Sequence, residues 1–86
     1  MNPPNFELTA HAATVIEKRG IELEWVGRVL SNPERIEQHA SDASLRHAYA
    51  RIPEHSDRVL RVVYNADVVP LRVVTAYFDR RQRGKP

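Results

Sequence analysis

The chain has 86 residues, of which 42% are hydrophobic and 28% charged, and its formal net charge is +2. This size and composition indicate one globular domain, residues 1–86, without a membrane span or a secretory signal, so we expect a cytoplasmic location. Cysteine is absent, which excludes disulfides and thiolate catalysis, and the four histidines lack metal-ligand spacing, so we expect neither a metal nor a cofactor.

Two helices are predicted in the first third of the chain. Thr9 can cap a helix over Ala10–Arg19, whose apolar residues recur at helical spacing, and Gly20 can end it. A second apolar stripe predicts a helix over 22–31, which Asn32-Pro33 would stop. The short link around Gly20 makes the two helices a hairpin.

After residue 34 the apolar period changes from helical to alternating. This pattern predicts four strands, over 35–40, 45–52, 58–64 and 71–78. Consecutive strands with short connections favour an antiparallel meander. The sequence therefore predicts an α+β fold in which two N-terminal helices pack on a four-stranded antiparallel sheet, in the order α-α-β-β-β-β.

Basic charge is concentrated in the last third of the chain. Residues 1–57 hold six basic and nine acidic groups, a balance of −3, whereas residues 58–86 hold seven basic and two acidic groups, a balance of +5. A planar guanidinium binds phosphate or carboxylate through two parallel hydrogen bonds, although the codon usage of a GC-rich genome also enriches arginine. Residues 80–86 lack apolar periodicity and predict a frayed basic C-terminal tail.

The third predicted strand places Arg61 among apolar residues. A charge in mid-sheet is costly unless it is paired, which favours either a functional role or an ion pair with a carboxylate such as Glu37. If Thr75 and Tyr77 of the fourth strand point away from the helices, a hydroxyl and a phenol lie beside Arg61 and form a phosphate site. In the opposite orientation Tyr77 belongs to the hydrophobic core. The sequence does not decide between these two orientations.

Histidines are the candidate groups for proton transfer. His11 lies in the first turn of the first predicted helix, where the helix dipole lowers the proton affinity of an imidazole. That position suits a general base, and it is also typical of a structural histidine. His47 shares a strand face with Tyr49, and this pair can move protons, stack on bases or simply pack. Arg19 lies at the inner edge of the first helix, with its head at the rim.

The order and spacing of several short motifs resemble one bacterial family. These motifs are Phe6-x-Leu8-Thr9-x-His11-Ala12, Arg19-Gly20-Ile21, Trp25-Val26, Val29-Leu30-x-Asn32-Pro33, Leu60-Arg61-Val62-Val63 and Val73-Val74-Thr75-Ala76-Tyr77. Together they resemble domain of unknown function 4258, a family placed in the RelE-like toxin superfamily. The resemblance implies a RelE-like fold and metal-independent cleavage of messenger RNA, often on the ribosome, with a cognate antitoxin as partner.

The resemblance also implies a site. The matching positions are His11, Arg19, Arg61, Thr75 and Tyr77, with Arg80 as an additional phosphate clamp. Combined with the strand pattern, this gives His11, Arg61 and Tyr77 as catalytic candidates. The substrate-binding candidates are Arg19, His47, Thr75 and Arg80. Superfamily toxins also use lysine, and no predicted strand contains one.

Three functions are compatible with these residues. In the one that we favour, the protein is a metal-independent endoribonuclease: His11 or His47 activates a 2′-hydroxyl, arginines stabilise the phosphate charge, and Tyr77 protonates or orients the leaving oxygen. In the second, it is a non-catalytic RNA- or partner-binding module. In the third, it is a structural domain that forms a homodimer through a sheet edge, and its arginines only make surface ion pairs.

Overall fold

The computed structural model describes residues 5–82, which form two α-helices, five strands and two short 3₁₀ turns. The elements are β1 (Phe6–Leu8), α1 (Ala10–Lys18), α2 (Leu23–Ser31), β2 (Arg35–Gln38), β3 (Leu45–Ile52), β4 (Arg58–Asn65) and β5 (Leu71–Phe78), with 3₁₀ turns at Pro53–His55 and Arg80–Gln82. Within residues 5–82, neither helix has the length and apolar character needed to cross a membrane.

Both helices agree with the sequence prediction to within one residue at each end. The Thr9 hydroxyl accepts a hydrogen bond from the Ala12 backbone N–H at 3.0 Å, which caps α1 as predicted. After α1, Gly20 adopts φ +66°, and the Ile21 N–H donates to the Ile16 carbonyl at 3.0 Å. This closure satisfies a free carbonyl at the helix end and turns the chain into α2.

The sheet shows that the predicted four-stranded antiparallel arrangement is wrong. It has five strands in the order β1-β5-β4-β3-β2, and β1 pairs with β5 in parallel while the other three pairs are antiparallel. The missed strand, β1, is three residues long, which is too short for its alternation to stand out. Its pairing is also remote in sequence, since Phe6 lies opposite Leu71. The chain therefore enters the sheet before it forms α1.

The two helices cover one face of the sheet. Residues buried there come from both helices and from β3, β4 and β5: Ala12, Ile16, Ile21, Trp25, Val26, Val29, Ala48, Ala50, Ile52, Leu60, Val62, Tyr64, Val73 and Ala76. Burial of a side chain such as Leu60, which is 0% exposed, contributes about 1.5–3 kcal/mol. Alternate residues of the strands project to the other side, which we call the polar face.

A β-bulge in β5 decides which of its side chains reach the polar face. The register shifts between Val63 and Tyr64 of β4, so that Val63 lies opposite Thr75 but Tyr64 lies opposite Val73. Val73 and Ala76 can therefore both face the helices. Thr75 and Tyr77 share the polar face with Arg61, since cross-strand partners lie on the same side of a sheet.

The first residues of the predicted C-terminal tail pack against the polar face. Arg80–Gln82 form a 3₁₀ turn instead of a frayed end. Arg35 of β2 donates a hydrogen bond to the Gln82 Oε1 at 2.8 Å, which ties this turn to the far strand of the sheet. The rest of the predicted tail, residues 83–86, lies outside the described residues.

Candidate functional site

A row of alternating guanidinium and aromatic groups crosses the polar face. Strand pairing aligns Arg35 with Tyr49, Tyr49 with Arg61, and Arg61 with Tyr77. The guanidinium carbon of Arg61 lies 4.9 Å from the Tyr49 ring centroid and 5.6 Å from that of Tyr77, and that of Arg35 lies 4.2 Å from the Tyr49 ring. These distances allow cation–π attraction. The row fixes Arg61 between two rings, because the cross-strand register places Tyr49 and Tyr77 on either side of it.

Tyr49 is the buried centre of this row. It is 0% exposed, and its hydroxyl donates a hydrogen bond to the Glu37 Oε1 at 3.0 Å. Burial, together with that bond, raises the pKa of the Tyr49 phenol. Glu37 is therefore the hydrogen-bond partner of Tyr49, although the sequence suggested it as the ion-pair partner of Arg61. Because Tyr49 is closed off from solvent, it supports the face and does not itself offer a ring to a ligand.

Asp79 takes the role of carboxylate partner to Arg61. The Arg61 Nη1 donates to the Asp79 Oδ2 at 2.7 Å, and the two side chains are only 14% and 3% exposed. Burial alone would raise the pKa of Asp79, but hydrogen bonds from Arg81 and the charges of Arg61 and Arg81 hold it below its ordinary value. Arg61 and Arg81 share the single negative charge of Asp79, so these three side chains together carry a net charge of +1.

Sequence reasoning missed Asp79 as a partner, although one signal for it existed. Asp79 follows Tyr77 by two residues, so continued strand alternation would place both on the same face as Arg61. The Asp79 Oδ1 also accepts the backbone N–H of Arg81 at 3.0 Å, which begins the 3₁₀ turn. Asp79 therefore both pairs with Arg61 and bonds the turn that follows β5.

Arg61 also determines where two histidines carry their protons. Its Nε–H donates to the His47 Nδ1 at 2.8 Å, and because arginine can only donate, that nitrogen holds the lone pair. The proton of neutral His47 is then on Nε2, which lies 2.7 Å from the His39 Nδ1 and donates to it. Burial, with the charges of Arg61 and His39, lowers the pKa of His47. His47 is kept neutral, and its lone pair is already occupied.

Tyr77 lies near one edge of the polar face. In residues 5–82, the only strand that pairs with β5 on this side is the short β1, and it does not extend as far as Tyr77. Arg19 reaches this edge from the end of α1: its Nη1 donates to the Ala76 carbonyl at 2.8 Å, and its guanidinium carbon lies 5.9 Å from the Tyr77 ring centroid. Tyr77 and Thr75 are both half-buried, while Arg19 is exposed. We call Arg19, Arg61, Thr75 and Tyr77 the Tyr77 surface.

The other predicted site residues lie elsewhere. His47 adjoins Arg61 but is engaged with His39. His11 is exposed in the first turn of α1, whose buried residues pack on the face of the sheet opposite Arg61. Arg80 is exposed beside a separate cavity at the end of β5. Among residues 5–82, no three histidine, aspartate or glutamate side chains converge as metal ligands.

A family model supports the resemblance to domain of unknown function 4258, without reference to the RelE-like toxin superfamily. The model described as "Domain of unknown function (DUF4258)" matches residues 8–78, most of the chain, which therefore belongs to this family. No curated protein and no solved structure matches the chain. The matched region contains all four residues of the Tyr77 surface, while Asp79 and Arg80 lie just beyond its end.

Proposed function

We propose that this member of the family is a non-catalytic RNA-binding module, and that it contacts single-stranded RNA through the Tyr77 surface. The observation that carries the proposal is one half-buried phenol ring with two guanidinium groups at 5.9 Å and 5.6 Å from its centroid. Single-stranded nucleic acid is bound by such combinations, because bases stack on aromatic rings while arginines hold the flanking phosphates.

The charge balance around this surface favours a polyanion. Arg61 and Arg81 share Asp79 as their only carboxylate among the described residues, and Arg81 is 79% exposed. Arg19 bonds a neutral carbonyl and so keeps its full charge. The surface therefore offers positive charge next to a ring. Phosphate contacts of this kind supply most of the affinity for RNA and make it dependent on salt.

Binding without catalysis is favoured because neither candidate histidine offers a base beside Arg61. The lone pair on the His47 Nδ1 accepts a hydrogen bond from the Arg61 Nε–H, so this nitrogen cannot take up a proton while that bond is in place. The His11 imidazole makes no hydrogen bond to Arg61, Thr75 or Tyr77 among the described residues. A general base needs a free lone pair within hydrogen-bond reach of the proton that it removes, and the Nδ1 of His47 is occupied by Arg61.

A second candidate function rests on Thr75 and Tyr77 lying beside Arg61. With these groups the protein would be a metal-independent endoribonuclease of the RelE-like toxin superfamily, acting on messenger RNA, with a cognate antitoxin as partner. The 2′-hydroxyl would attack phosphorus and lose its proton to a solvent water. The bond from phosphorus to the 5′-oxygen would break as that oxygen takes the proton of Tyr77, giving a 2′,3′-cyclic phosphate and a 5′-hydroxyl, and the Tyr77 phenolate would regain a proton from water. Arg19 and Arg61 would stabilise the charge that develops on the phosphate.

Fluorescence anisotropy with a labelled single-stranded RNA tests the proposal. Tyr77→Ala should weaken binding about 5- to 150-fold, since stacking of one base contributes about 1–3 kcal/mol. Arg19→Ala should lower the slope of log affinity against log salt by about 0.7. Lys18→Ala, which removes the neighbouring exposed positive charge, is the matched control and should change neither value.

Two outcomes would redirect the proposal. If Tyr77→Ala bound RNA as tightly as Lys18→Ala, with both variants showing native circular dichroism, the Tyr77 surface would not be the RNA site. If the same RNA, incubated with excess chelator, were cut to fragments with 2′,3′-cyclic phosphate ends and Tyr77→Phe stopped the cutting, the nuclease would replace the binding module.

A further inference from the structure

A cavity of about 250 Å³ lies where β4 begins and β5 ends, next to the Tyr77 surface, since Asp79 in its lining pairs with Arg61. It is lined by Arg58, Val59, Phe78, Asp79 and Arg80. Arg58 and Arg80 are both exposed, and neither is in an ion pair with a carboxylate of residues 5–82. The opening of the cavity is thus flanked by two guanidinium groups whose hydrogen-bond donors are available to a ligand.

The carboxylate in this cavity does not cancel that charge. Asp79 is 5% exposed, and its Oδ2 and Oδ1 are engaged by Arg61 and Arg81, which together carry one more positive charge than Asp79 balances. Asp57, beside Arg58 in the sequence, is exposed, and no ion pair among the described residues joins the two. An anion entering between Arg58 and Arg80 therefore meets a net positive environment.

One wall of the cavity belongs to an aromatic cluster. The Phe78 ring stacks on His55 with centroids 4.3 Å apart and planes at 24°, and Trp25 meets Phe78 edge-on at 6.1 Å. The turn that carries His55 is tied to α2 because Arg28 donates two hydrogen bonds of 2.8 Å to the Glu54 carboxylate. The site thus combines a fixed apolar wall with two free arginines.

We propose that this cavity binds a terminal phosphate monoester of RNA, an inference that rests on the proposed RNA-binding function. A monoester carries a charge of about −1.5 to −2 at neutral pH, which matches two guanidinium groups, whereas an internal diester carries about −1. Guanidinium forks hold such phosphates through paired hydrogen bonds. The cavity volume of about 250 Å³ accommodates a phosphate together with part of its ribose.

Three otherwise identical RNA 12-mers test this site: one with a 5′-phosphate, one with a 3′-phosphate and one with hydroxyls at both ends. Binding is measured at physiological salt by anisotropy and by the fluorescence of Trp25, the only tryptophan in the chain. One phosphorylated RNA should bind about tenfold more tightly than the hydroxyl RNA, as expected for added charge-assisted hydrogen bonds. Arg58→Gln and Arg80→Gln should each remove that preference, whereas Lys18→Gln should keep it.

The outcomes separate this inference from the function on which it rests. Equal affinity of all three RNAs for the native protein would overturn the terminal-phosphate site and leave the Tyr77 surface standing. A preference that persisted in both Arg58→Gln and Arg80→Gln would also overturn it. Absence of binding by every RNA would overturn both proposals together. The hydroxyl RNA should bind Lys18→Gln and the native protein equally.

Discussion

Replacement of Asp79 by asparagine should destabilise the protein severely at neutral pH. The side chain is 3% exposed and pairs with Arg61 at 2.7 Å. Removal of one partner of a buried ion pair costs about 3–5 kcal/mol, because the other charge is left without compensation. The amide oxygen of asparagine can still accept from the Arg81 N–H, and Arg61 keeps its bond to His47, so we expect about 3 kcal/mol.

This cost should depend on pH in a defined direction. The pKa of Asp79 is lower in the folded protein than in the unfolded chain, so its charge stabilises the fold above the unfolded value and loses effect as the pH falls through the folded value. The difference between native protein and Asp79→Asn should therefore be full at pH 7 and shrink as the pH falls below about 4, the unfolded value.

Urea unfolding followed by Trp25 fluorescence measures this difference at pH 7 and pH 3. A loss of about 3 kcal/mol also lowers Tm by roughly 12–24 °C in a domain of this size. Asp67→Asn, which changes an exposed carboxylate in the β4–β5 turn, is the control and should stay within about 0.5 kcal/mol of the native protein. The reasoning is refuted if Asp79→Asn is no less stable than Asp67→Asn at pH 7.

Three further predictions concern single residues. The pKa of His47 is lower in the folded protein than in the unfolded chain, so the free energy of unfolding should fall as the pH drops below about 6.5. His47→Gln has no titrating ring. Urea unfolding should therefore show a shallower fall for this variant between pH 7 and pH 5. The hydrogen bonds from Arg28 lower the pKa of Glu54 to about 2, and an NMR titration should find it near its ordinary value in Arg28→Gln. Gly20→Ala should cost about 1–2 kcal/mol in thermal unfolding because its φ of +66° strains an L side chain. No steric clash adds to this cost, since among residues 5–82 no atom beyond the chain neighbours of Gly20 lies within 4 Å of the added Cβ. An unchanged Tm would contradict this expectation.

Local sequence patterns predicted the elements that depend on local chemistry. The cap at Thr9 and the glycine at position 20 define α1, and alternation defines β3 over residues 45–52 and β5 over residues 71–78, as the structure has them. These features arise within a few residues of chain. Each can therefore be inferred without knowledge of the tertiary partners.

The features that were missed depend on distant partners. Strand β1 exists because Phe6–Leu8 pairs with β5, and three residues carry no reliable alternation of their own. The bulge opposite Val63 and Tyr64 decides the facing of Thr75 and Tyr77, and no local pattern marks it. Asp79 as the partner of Arg61 likewise needed the sheet register. Grouping of residues into the Tyr77 surface therefore required the structure, although the sequence had named each of its members.

An NMR titration of ¹⁵N-labelled protein with single-stranded RNA bearing hydroxyl ends tests the central proposal most directly. The account predicts that the backbone amides of Thr75 and Tyr77 and the Arg19 side-chain Nε–H shift as RNA is added, and that the shifts weaken at higher salt. Amides of His11 and Leu23 on the helix layer should not move. Shifts confined to the helices, with Thr75 and Tyr77 unchanged, would contradict the assignment of the Tyr77 surface as an RNA site.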